Sequence, residues 1–144
     1  MLLACSGAAA AQEPSAQPEP VFETGELMLL VIKPAYDELR KAMATPPADQ
    51  QQWAVLYQRA ARLAEFENLI LFRPHERSNT AEWKTLATNA RKATMSVAQA
   101  ALKALSNAKE ADFEAIKKSY TAVSAGCNAC HRAMSREAPR ITPD

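Results

Sequence analysis

Between Phe113 and Met134 the apolar side chains fall at Phe113, Ile116, Tyr120, Val123, Cys127, Cys130 and Met134, in alternating steps of three and four. That spacing is a heptad seam, which a helix presents to its neighbours as one continuous stripe. Three earlier segments carry the same period. They are "TGELMLLVIKPAYDELRKAM", the run from Asp49 through "WAVLYQRAARLAEFENLILFR", and the run from "SNTAEW" to Leu105. Their stripes are Met28, Ile32, Ala35, Leu39 and Ala42; then Trp53, Leu56, Ala60, Leu63 and Ile70; then Trp83, Leu86, Ala90, Val97, Ala101 and Leu105. Breaks separate the segments at "TPPAD", at Pro74 and at "SNAKEAD", and the last ends near Ser135, ahead of Pro139 and Pro143. Asn79, with Glu82 three residues on, predicts the N-cap of the third segment.

Only three glycines occur in 144 residues, which leaves little material for hairpin turns, and no β–α alternation is present. The expected fold class is all-α. Helices of about twenty residues joined by short loops predict an antiparallel up-down-up-down four-helix bundle. It would occupy residues 23–138, with 139–144 as a C-terminal tail. Charges nearly cancel, 17 Lys and Arg against 16 Asp and Glu, so no basic footprint points to nucleic acid. No run of 18 apolar residues is available to span a bilayer.

Residues 1–22 are expected to lie outside the bundle. "MLLACSGAAAAQEPSAQPEP" resembles the end of a signal segment followed by a linker. Two readings stand level. "LLACSG" resembles a lipoprotein box, which would make Cys5 a lipidated membrane anchor, and "AAAAQ" suits cleavage with Ala9 and Ala11 flanking the cut. A disordered tail is the third reading.

The chemistry concentrates in "CNACH", Cys127 to His131, at the C-terminal end of the last helix. Cys-x-x-Cys-His has three readings: half a zinc site, a redox dithiol, or a covalent haem attachment site. A structural zinc needs four ligands, and only Cys5 and His75 remain to complete the set. A redox dithiol normally opens a helix after a strand, where the helix dipole lowers the thiol pKa. Haem fits the spacing, because Cys127, Cys130 and His131 share an arc of about 100° on one helix face. Two thiols can then hold one porphyrin edge while the imidazole reaches the iron. Gly126 costs the helix interior about 1 kcal/mol relative to Ala, which a macrocycle lying close to the backbone would explain.

A four-helix bundle with Cys-x-x-Cys-His near its C-terminus resembles the class II c-type cytochromes, the cytochrome c′ group. The likeness covers residues 24–136 and rests on the architecture and on "CNACH"; it departs from the family at Met134, where an aromatic is common. The resemblance implies one haem c on Cys127 and Cys130, His131 as axial iron ligand, a periplasmic location and a homodimer through the first two helices.

In such a bundle the start of the first helix lies beside the end of the fourth, which makes Met28 the expected sixth ligand. Met43 lies about 22 Å further along the same helix at 1.5 Å per residue. Leu27, Val31, Phe72 and Trp83 are the expected pocket wall. His75 is read as an exposed loop histidine. Arg73, Arg77, Arg132, Arg136 and Arg140 are read as a solvated basic rim at the same end, suited to an acidic redox partner.

The expected function is electron transfer by a periplasmic cytochrome with His/Met-ligated iron. The alternatives are a five-coordinate haem protein that binds NO or CO, and a helical module without haem. No nucleophile–base constellation supports an enzyme.

Overall fold

The computed structural model describes residues 19–73, 80–134 and 137–143. Four helices pack together around one core, and no strand occurs among these residues. Helix α1 is continuous through three stretches, Thr24–Leu27, a π-helical turn over Met28–Ile32, and Lys33–Ala42. Helix α2 spans Gln50–Leu71, α3 spans Ala81–Ser106 and α4 spans Phe113–Met134, with a 3₁₀ turn at Ala108–Glu110.

Each helix starts where a side chain satisfies a free backbone N–H. Glu26 accepts from the Glu23 N–H at 3.0 Å, and Asp49 accepts from Gln52 N–H at 2.8 Å. Asp112 accepts from Ala115 N–H at 3.0 Å. The cap of α3 is Thr80, one residue later than the predicted Asn79, which lies outside the described residues. Thr80 has extended backbone, and its hydroxyl accepts from Trp83 N–H at 3.1 Å. Both residues are competent caps; the choice depends on backbone angles that the side chains do not announce.

The α4 seam packs as its spacing predicts. Ile116, Tyr120, Val123 and Cys130 are buried, while Phe113, Cys127 and Met134 pack half-buried against the core. The α2 stripe is buried at all five predicted positions, and α3 buries Trp83, Ala90, Val97 and Ala101 but leaves Leu86 and Leu105 half-buried. Small residues let α3 and α4 approach closely: a Cβ built on Gly126 would sit 3.1 Å from Ala90 Cα. This contact with the neighbouring helix accounts for Gly126, so no macrocycle is needed to explain it.

The inward stripe of α1 differs from the prediction at both ends, and at its far end Met43 rather than Ala42 is buried. Leu27, Ile32, Ala35, Tyr36, Leu39 and Met43 are buried, whereas Met28 is only partly so. The step from Leu27 to Ile32 is five residues, one π turn, closed by the Lys33 N–H bonding to the Met28 carbonyl. Pro34 supplies the reason. Its ring would crowd the carbonyl four residues back and it has no N–H to donate, so a widened turn ahead of it lets the helix continue.

At one end of the molecule Arg73 ties α2 to the chain ahead of α1. Its guanidinium donates to the Phe22 carbonyl, and the side chain is buried. The expected solvated rim therefore loses Arg73. Arg132 and Arg140 are exposed, and Arg77 and Arg136 lie outside the described residues. Among the described residues no helix is long and apolar enough to cross a membrane.

Candidate functional site

Cys127, Cys130 and His131 occupy the last two turns of α4. Cys130 is buried, Cys127 and His131 are half-buried, and both thiols are free. Burial pushes the Cys127 thiol up to about 12, with Glu67 and Cys130 adding to the effect, and burial also raises Cys130. Both are therefore protonated at neutral pH. A redox dithiol needs an attacking thiol poised as thiolate, and this environment works against it. Zinc needs further ligands. Among the described residues no group of three or more His, Cys, Asp or Glu side chains is arranged to hold a metal ion.

The His131 ring is held from outside the helix. Its Nδ1 lies 3.0 Å from the Pro139 carbonyl oxygen. A carbonyl only accepts, so Nδ1 carries the proton and Nε2 of the neutral ring keeps a free lone pair. The chain beyond α4 returns along the helix to make this contact. Asn128 donates to the Ile141 carbonyl at 2.7 Å and accepts from the Ile141 N–H at 2.8 Å. The Tyr36 hydroxyl of α1 donates to the Thr142 carbonyl at 2.8 Å. Sequence reasoning missed this packing, because "PRITPD" carries no periodicity and reads as loop.

Tyr36 also stacks on Tyr120 with ring centroids 6.0 Å apart, bridging α1 and α4. The Tyr120 hydroxyl is buried without a hydrogen-bond partner among the described residues, and burial raises both phenols above the usual tyrosine range. A second buried polar group is Glu67 of α2, 1% exposed, in the interior between helices. The Thr94 hydroxyl donates to its Oε1 at 3.1 Å, while Oε2 has no partner among the described residues. Burial raises Glu67 to about 7, against the opposing pull of Thr94 and Arg91. A signal for Glu67 was present: it continues the stripe Leu56, Ala60, Leu63, Ile70 at the same steps of four and three.

Of the remaining expected site residues, Met28 is half-buried within the π turn and Leu27 beside it is fully buried. Val31 is partly buried against the core. Trp83 is buried, with its indole N–H donating to the Ile70 carbonyl at 3.3 Å. Phe72 is 60% exposed. Cys5 and His75 lie outside the described residues.

The donor set fits covalent haem: two free, protonated thiols and an imidazole whose Nε2 has no partner among the described residues, grouped within five positions of one helix. No family model, curated protein or solved structure matches the chain.

Proposed function

We propose that this chain is a c-type cytochrome of the class II kind, carrying one haem c and acting as a periplasmic electron carrier. The observation that carries the reading is the Cys127, Cys130 and His131 set, with two unpaired protonated thiols and an imidazole whose Nδ1 is already engaged. Cys127 and Cys130 would hold the group through thioethers, and His131 Nε2 would be the axial ligand. When bound, haem supplies one-electron redox chemistry at its iron. The chain's own part is to fix the imidazole, keep bulk water from the thioethers and limit rearrangement between oxidation states.

The up-down-up-down arrangement belongs to this proposal. The Arg73 bond to Phe22 and the Glu38 pairs with Arg59 and Arg62 support antiparallel α1 and α2. The Trp83 bond to Ile70 and the Thr94 bond to Glu67 support the same for α2 and α3. That arrangement would bring Met28 to the level of His131 as sixth ligand. The exposed Arg132 and Arg140 suit an acidic redox partner.

One observation favours a second reading. The π turn gives the fully buried position to Leu27 rather than Met28, which suits five-coordinate iron open to NO or CO behind an apolar wall. Absorption spectra of protein matured in a periplasm with haem-attachment machinery decide between them. A low-spin ferric spectrum, with no response to CO after reduction, means Met28 ligation and electron transfer. A high-spin spectrum that shifts with CO means an open site and gas binding.

A further inference from the structure

Ile141, beyond the end of α4, is held by a two-point lock. One side-chain amide, that of Asn128, matches both the N–H and the C=O of Ile141 at 2.8 and 2.7 Å. Such pairing fixes the direction of the returning chain as well as its position, because reversing the amide would set donor against donor. The Tyr36 bond to Thr142 anchors the next residue to a different helix. Two residues before Ile141, the Pro139 carbonyl meets His131 Nδ1. Only Arg140 lies between Pro139 and Ile141, and two planar peptide units join them, which leaves little slack between the lock and the carbonyl. Asn128 itself sits three residues before His131 on α4, one helical turn away.

We infer that Asn128 is a positioning residue for His131: by locking Ile141 it holds the Pro139 carbonyl against Nδ1, so that the neutral ring is kept as the Nδ1–H tautomer with Nε2 available to an electrophile. The availability of Nε2 to iron rests on the proposed haem function; the tautomer does not. A carbonyl on the far nitrogen of a ligating imidazole both orients the ring and raises the basicity of the ligating nitrogen. Loss of the lock would release the ring to its other tautomer. In the haem-loaded protein it would weaken donation to the iron, which favours the ferrous state and raises the reduction potential.

The test compares the full wild-type chain with Asn128→Ala, Asn128→Gln and a chain ending at Ala138. Ala and Gln are good helix formers, so α4 is retained in the first two. The first readout is the ¹⁵N spectrum of the His131 ring in haem-free chain, at a pH where the ring is neutral. The expected wild-type result is a protonated Nδ1 and a bare Nε2. Asn128→Ala and the shortened chain lose that preference, and Asn128→Gln recovers part of it. The second readout is the reduction potential of haem-loaded protein, expected to be higher in Asn128→Ala. A wild-type ring protonated at Nε2, or the same tautomer in wild type and Asn128→Ala, overturns the inference. A tautomer shift in chain that never acquires covalent haem supports the lock and overturns the proposed function. Covalent haem with tautomer and potential unchanged in Asn128→Ala overturns the lock alone.

Discussion

The Thr94 hydroxyl donates to Glu67 Oε1 across 3.1 Å, and no other polar group among the described residues reaches the second carboxyl oxygen. A carboxylate left this way in the interior is costly, so the protonated acid is the form the fold prefers.

Stability should therefore depend on pH through Glu67. Its pKa is raised from 4.5 to about 7, so the folded state holds a proton that the unfolded chain releases. The associated stability is fully present below pH 4.5 and is lost as pH rises through 7. The displacement corresponds to about 3 kcal/mol. Urea unfolding at both ends of that range should show the wild type losing more stability than Glu67→Gln. Parallel pH profiles for the two proteins would contradict the assignment.

Gly126 and Gly25 should respond oppositely to alanine. At Gly126 the new Cβ comes within 3.1 Å of Ala90 Cα, a backbone atom of α3 that must give way by a few tenths of an ångström. Strain of about 1–3 kcal/mol exceeds the helix-propensity gain of about 1 kcal/mol, and Gly126→Ala lowers the melting temperature. At Gly25 nothing lies within 4 Å of the added Cβ, and Gly25→Ala raises it. Thermal melts of the two variants, run side by side, check the contrast.

Arg73→Ala should destabilise the end of the molecule where α1 begins. It removes a charge-assisted hydrogen bond to Phe22 from a buried side chain, for a cost of about 1.5–3 kcal/mol. Hydrogen exchange should quicken first at the amides of Leu27 and Met28, whose bonds close the opening turn.

The helices were legible because their apolar spacing is strong: the seam from Phe113 to Met134 and the stripe from Trp53 to Ile70 both pack as read. Three features were not. Period alone assumed regular α-geometry through Leu27 and Met28, and the π turn ahead of Pro34 exchanged their positions. Glu67 sits on the α2 seam, but reading only apolar letters steps over a carboxyl that burial holds neutral. The return of Pro139 to Thr142 depends on backbone groups bonding Asn128, His131 and Tyr36, and backbone groups leave no trace in side-chain pattern. The Cys127, Cys130 and His131 set was legible in full as a cluster. The Pro139 contact that orients its histidine was not.

The proposed function requires that Cys127 and Cys130 carry haem. The most direct test is the intact mass of denatured protein after maturation in a periplasm with haem-attachment machinery, beside a Cys127→Ser, Cys130→Ser double variant. The expected result is a wild type that keeps the mass of one haem through denaturation and a double variant that keeps none. A wild-type chain at its bare mass, or haem retained covalently by the double variant, would contradict it.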